Sequence, residues 1–185
     1  MEYLPISDLA KVFRAAYDAD TLKSRLHHMA MLTMFFTGTR VSQMLSLCGE
    51  DVCQIDGKWV ILVPAAKRGK KVVRALHICD DPAFDMTPMI TMAQIKRTSR
   101  LFDGLSRDYF NAMIEKACVL AGIHTSFAHS HMFRHSAAMA IFDATQRIGA
   151  VTEFLAHKSA ASAFVYLREN DNVLAQDAMN SLVFA

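Results

Sequence analysis

The sequence predicts a mainly α-helical fold with one small three-stranded antiparallel β-sheet, an α+β chain. Three observations carry this. Apolar residues recur at helical spacing along most of the chain. One block after residue 51 instead reads as short β-branched runs separated by turn residues. Glycine and proline are scarce, 7 and 4 among 185 residues. The length and the 52% hydrophobic content suit one well-buried core and hardly two, so the chain reads as a single domain over 1–185.

The elements follow in order. ISDLAKVFRAAYD at 6–18 has helical periodicity, with Ser7 the expected N-cap. Residues 21–36 read as a longer buried helix, and Gly38 suits the left-handed position that ends it. A further helix is expected over 41–48. VCQI, Asp56-Gly57 and KWVILV make a hairpin signal. Pro64 stops the second strand, AAKRGKK forms a polar turn, and VVRALHI supplies the third strand. Helices resume at about 86–98, 107–121, 131–145, 147–156 and 160–168. A C-terminal tail helix closes the chain within 170–185; Val173, Leu174, Ala178, Met179, Leu182 and Val183 are its apolar positions. No repeat, low-complexity tract or linker interrupts the pattern.

Composition narrows the function classes. Apolar runs such as MAMLTMFF at 29–36 are too short to span a bilayer and lack secretory flanks, so a cytoplasmic chain with no membrane partner is expected. Cys48, Cys53, Cys79 and Cys118 form no CxxC pair, which predicts reduced, mostly buried thiols. The net charge of +2 is modest but unevenly spread. Residues 167–185 hold Arg168 against Glu169, Asp171 and Asp177. Lys67, Arg68, Lys70, Lys71 and Arg74 crowd one turn, which fits either a polyanion site or a solvated hairpin tip.

The stretch HSHMFRHSAA at 129–138 concentrates chemistry. With Ser130 as N-cap, His131 and Arg134 share one face of a first helical turn. Backbone N–H groups and the dipole there favour an anion. A zinc reading on His131 and His135 lacks the glutamate that should follow the first histidine, Met132 standing there instead. Neither metal nor other cofactor is expected. Arg40 in FFTGTRVSQMLSL follows a helix-ending glycine and can present its planar fork to phosphate. Lys67 sits at the hairpin tip, His157 lies in LAHKS, and Tyr166 comes nine residues later. Singly, each has an ordinary structural explanation: a helix-end cation, a solvated turn, a dipole partner, a half-buried aromatic.

Taken in order, TGTR, a hairpin lysine, HMFRH, LAHKS and the tyrosine resemble the catalytic domain of the tyrosine recombinases, the phage integrase family. The usual strings there look like TGxRxSEL, HxLRH and LGHxS. The resemblance covers roughly residues 7–180. It implies that Arg40 and Arg134 bind phosphate, that Lys67 is the hairpin lysine with Lys70 its alternative, that His131 and His157 serve the site, and that Tyr166 is the nucleophile. The implied function is site-specific DNA recombination or integration through a 3′-phosphotyrosine, as in phages and mobile elements. The implied partners are double-stranded DNA, four protomers assembled on it, and accessory DNA-bending proteins. Three departures stand out. Gln43 replaces a common acid, which weakens the charge support of the site. Ala156 replaces a common glycine, which a helix would tolerate. The chain also leaves no room for the usual N-terminal DNA-clamping domain, so either a piece of a longer protein or a minimal member is expected. The rivals are a non-catalytic DNA-binding regulator of the same fold, a type IB topoisomerase, and a metalloprotein built on His129, His131 and His135.

Overall fold

The computed structural model describes residues 3–19, 22–64 and 70–156. The expected helix at 160–168, the tail helix, and the residues Lys67, His157 and Tyr166 lie outside these segments.

Helix α1 (Ile6–Asp18) buries Leu9, Val12, Phe13 and Ala16, an i, i+3, i+4, i+7 stripe. Its start differs from expectation. Pro5 holds the N-cap position, its carbonyl accepting from the N–H groups of Asp8 (3.0 Å) and Leu9 (2.9 Å), and Ser7 lies exposed inside the first turn. Helix α2 (Leu22–Thr37) is buried from His27 through Met34. Its polar members bond internally: Thr33 Oγ1 donates to Met29 O at 2.7 Å and Thr37 Oγ1 to Thr33 O at 2.5 Å. A short α3 (Val41–Ser46) follows.

The sheet has the order β1 (Val52–Ile55), β2 (Lys58–Pro64), β3 (Lys71–Ala75), antiparallel throughout. Ile55 faces Lys58 across a two-residue turn in which Asp56 and Gly57 both have positive φ, 49° and 74°, as the Asp-Gly pair predicts. Pro64 is the last residue of β2, where its missing N–H costs no ladder bond. β3 stops sooner than the sequence implies. Leu76 N–H still donates to Trp59 O at 3.0 Å, but His77 O accepts from Met86 N–H at 2.8 Å, pulling the chain away to begin the next helix.

Helices α4 (Thr87–Lys96), α5 (Arg107–Leu120), α6 (His131–Thr145) and α7 (Ile148–Phe154) complete the described chain. Phe13 sits at the hub of the core. It stacks on Phe133 of α6 at 5.7 Å and meets Phe35 (5.7 Å) and Phe84 (6.1 Å) edge-on. Leu4 N–H donates to Ser136 Oγ at 3.0 Å, tying the N-terminal segment to α6. Ala138 and Phe142 of α6 bury against Val151 and Leu155 at the α7 end, so α6 joins the main core to α7. All four cysteines are free thiols, but only Cys118 is buried; the other three are half-exposed because they lie on the sheet and its flanking loops. Burial pushes the Cys118 thiol up to about 11. Among the described residues no helix is long and apolar enough to cross a membrane.

Candidate active site

The site grows from two helix ends that meet. Helix α2 ends at Gly38, whose φ of 63° is left-handed. A Cβ there would lie 2.5 Å from the Phe154 ring and 3.2 Å from Leu155 Cδ2, so glycine is needed for space as well as for backbone angle. Helix α7 ends against that same point. Its C-cap is Leu155, and Ala156 follows with φ of 48°. Ala156 is therefore not a residue inside a helix, as the sequence reading supposed. It occupies a left-handed turn after the helix, where an L-residue is strained.

Arg134 binds the two ends together. It lies in the first turn of α6 and is only 5% exposed. Nη1 donates to Gly38 O and Nη2 to Leu155 O, the latter at 2.8 Å. Two of the five donors of a guanidinium thus serve carbonyls of two buried residues. Gly38 precedes Arg40 by one intervening residue, so the HxxR motif and the TGTR loop are physically joined.

Gln43 links that loop to the sheet. Its Oε1 accepts from Arg40 N–H at 2.8 Å, and its Nε2 donates to Pro64 O at 2.5 Å. A carboxylate could accept the first bond but not donate the second. Gln43 therefore supports the site through hydrogen bonding rather than charge, a role that the reading of a weakened site missed. Arg74 of β3 links the sheet to α7, its Nη2 donating to Phe154 O at 2.6 Å. Gln43, Arg74 and Arg134 thus surround a cleft of about 20 Å³ that is also lined by Gly38, Pro64 and Leu155. Each side chain ties one motif-bearing segment to the next.

Beside the cleft opens a cavity of about 440 Å³ lined by Val41, Arg107, Asn111, His129, Ser130, His131 and His135. His131 and His135 stand one turn apart on α6, ring centroids 6.2 Å apart, with His129 6.5 Å from His131. Burial first, then the charges of His129, Arg134, Arg40 and Arg107, hold His131 below the usual imidazole range. Burial first, then the charges of His131, His129 and Arg134, push His135 down to about 4. Both rings are neutral at pH 7, and a neutral imidazole can accept a proton. Arg40 and Arg134 both act on His131, so these three sequence-derived residues share one locale. Among the described residues no three His, Cys, Asp or Glu side chains are grouped to hold a metal.

Ser130 departs from expectation. It stands at the N-cap of α6 but with helical angles (φ −57°, ψ −29°) and no side-chain capping bond. Its N–H instead donates to Asn111 Oδ1 at 3.1 Å, which pins the start of α6 to α5. Arg107 and Asn111 are the residues sequence reasoning missed. They open α5 far from HSHMFRH in the chain, and only folding shows that the two helix starts share a cavity. On the hairpin, Lys71 is held by buried Asp51 at 2.6 Å, whereas Lys70 is exposed.

Residues 4–173 match the sequence model of the phage integrase family. The chain belongs to the phage integrase family. This integrase-family chain is 24% identical over 179 residues to the tyrosine recombinase XerH of Campylobacter jejuni, covering 93% of the chain and 50% of that relative. Its fold matches XerH site-specific recombinase bound to difH substrate in a pre-cleavage complex, with a TM-score of 0.76 and 23% identity over 95% of this chain and 53% of that one. It also matches a lambda integrase tetramer bound to a Holliday junction, with a TM-score of 0.60 and 19% identity over 89% and 47%. The integrase-family chain spans about half the length of these relatives.

Proposed function

We propose that the chain is a site-specific recombinase that cleaves and rejoins double-stranded DNA through Tyr166. The observation that carries this is the Arg134 bridge. A buried arginine from the HxxR helix donates to Gly38 O within the TGTR loop, which joins the segment of Arg40 to the segment of His131 and Arg134 and supports this reading. Membership of the phage integrase family supports the reading.

The chemistry follows from charge. A phenol with a pKa near ~10 is a poor nucleophile at neutral pH. Negative charge grows on the non-bridging oxygens of phosphorus as the phenolic oxygen attacks. Arg40 and Arg134 favour that state over the ground state by binding those oxygens. His131, neutral at pH 7, takes the phenolic proton or bonds the phosphate, and His157 bonds a non-bridging oxygen. The Tyr166 Oη–P bond forms, the P–O5′ bond breaks, and Lys67 or Lys70 protonates the leaving oxygen. A 3′-phosphotyrosine and a 5′-hydroxyl result. The ester conserves the bond energy, so rejoining to another 5′-end needs no ATP, and the scheme routes no step through a metal. Exchange between two duplexes calls for four protomers, an arrangement that the lambda integrase tetramer on a Holliday junction supports.

The test traps the intermediate. The 185-residue chain is incubated with a pool of nicked duplexes randomised over the core, and the adduct is isolated and mapped by mass spectrometry. DNA attached to Tyr166, and no adduct from Tyr166→Phe, is the expected result. An adduct of undiminished yield from Tyr166→Phe refutes the assignment.

A further inference from the structure

Arg74 stands in the basic cluster that the sequence assigns either to a polyanion site or to a solvated hairpin tip, yet its side chain is turned to the protein. Nη2 donates to Phe154 O at 2.6 Å and, more weakly, to Glu153 O at 3.4 Å; Nη1 donates to Val73 O at 3.1 Å. The guanidinium carbon lies 5.1 Å from the centre of the Phe154 ring. With Arg134 on Leu155 O, two arginines take three successive carbonyls at the C-terminal end of α7, where the helix dipole favours cations. β3 is the outer strand of the sheet and pairs with β2 on one edge. On its other side Arg74 fastens it to the helical body. In the sequence Lys67 falls between the end of β2 and the start of β3, and His157 is the third residue after the end of α7.

We infer that Arg74 is a positioning residue: it locks the Lys67-bearing hairpin to the end of α7 so that the general acid meets the leaving oxygen. This rests on the reading that Tyr166 attacks DNA while a hairpin lysine protonates the leaving group. A planar fork that stacks on a ring while bonding adjacent carbonyls suits arginine and not lysine. A general acid must lie within hydrogen-bond reach of the group it protonates, so a small slip of the hairpin is costly.

The experiment compares wild type, Arg74→Ala and Arg74→Lys in single-turnover cleavage of the duplex recovered from the randomised pool. Each is tested with an ordinary scissile phosphate and with sulfur in place of the 5′-bridging oxygen. A thiolate leaves without needing a proton, so the sulfur substrate bypasses the general acid. Arg74→Ala should cleave the ordinary duplex roughly 10- to 100-fold more slowly than wild type, a part of what a general acid supplies. Its deficit on the sulfur duplex should shrink to within about threefold, DNA affinity should be unchanged within about threefold, and Arg74→Lys should fall between. Where Arg74→Ala does not fold, Arg74→Lys decides by the same ratio of deficits. Equal deficits on the two duplexes, or a loss of affinity as large as the loss of rate, overturn the positioning role and leave the Tyr166 reading intact. A wild-type chain that gives no Tyr166 adduct overturns that reading and this inference with it.

Discussion

The ends of α2 and α7 make the same turn with different residues. Both chains go left-handed, at φ 63° and 48°, and a carbonyl beside each turn accepts from Arg134. At the end of α2 the turn is glycine, which the angle and the Phe154 ring both demand. At the end of α7 it is Ala156, which pays for the angle with strain of roughly 1–2 kcal/mol. The α7 end carries more outside support, with Arg74 and Arg134 on its last carbonyls. The contrast teaches that the motif glycine of TGTR is a packing requirement, whereas the position after LAHKS's leucine is an angular preference that neighbouring arginines override.

Removing the shared partner should have the largest effect. Arg134→Ala leaves Gly38 O and Leu155 O without this donor in a buried place. It is expected to lose roughly 1–3 kcal/mol of stability and, in single-turnover assays, cleavage by two orders of magnitude or more, while most DNA affinity remains. Arg40 offers the control: its side chain is exposed and its tether to Gln43 uses backbone, so Arg40→Ala should cost comparable cleavage but only about 0.5 kcal/mol or less in denaturant unfolding. Equal destabilisation by the two substitutions would dissolve the distinction between a buried bridge and an exposed contact.

The two turns should then respond oppositely. Gly38→Ala meets the Phe154 ring at 2.5 Å and a disfavoured φ, and should destabilise by roughly 1–3 kcal/mol. Ala156→Gly should stabilise by about 0.5–1 kcal/mol in the same denaturant titrations. A stabilising Gly38→Ala or a destabilising Ala156→Gly would reverse the comparison.

The last effect is confined to acidic pH and vanishes at neutral pH. His135 is held near 4 in the fold, against about 6.5 when unfolded. A lowered histidine contributes stability that is complete above the unfolded value and is lost as pH falls from 6.5 toward 4, because the unfolded chain binds the proton first. His135→Gln should flatten thermal stability across that window. His131 is lowered too, so cleavage should hold its neutral-pH rate to somewhat lower pH than an ordinary imidazole base allows, then decline.

Much of this was legible in the chain. The Asp-Gly hairpin, the glycine stop at 38 and the span of α6 are local signals, each fixed within a few residues. The cap at Ser130 was not, because Ser130 takes helical backbone angles rather than the extended ones of a capping serine, with its N–H held by Asn111 from another helix. Neither Gln43's bond to Pro64 O nor Arg74's grip on Phe154 O could be read, since both join residues far apart in sequence. Ala156 was misjudged for a related reason: the end of α7 is set by the arginines that hold it, not by its own residues.

The central claim is that Arg40 and Arg134 serve one scissile phosphate. A double-mutant cycle on single-turnover cleavage tests it most directly. Groups acting as a unit give strongly non-additive losses, so the Arg40→Ala/Arg134→Ala double variant should be barely slower than the worse single variant. Losses that simply multiply would place the two guanidinium groups on separate tasks and contradict the account.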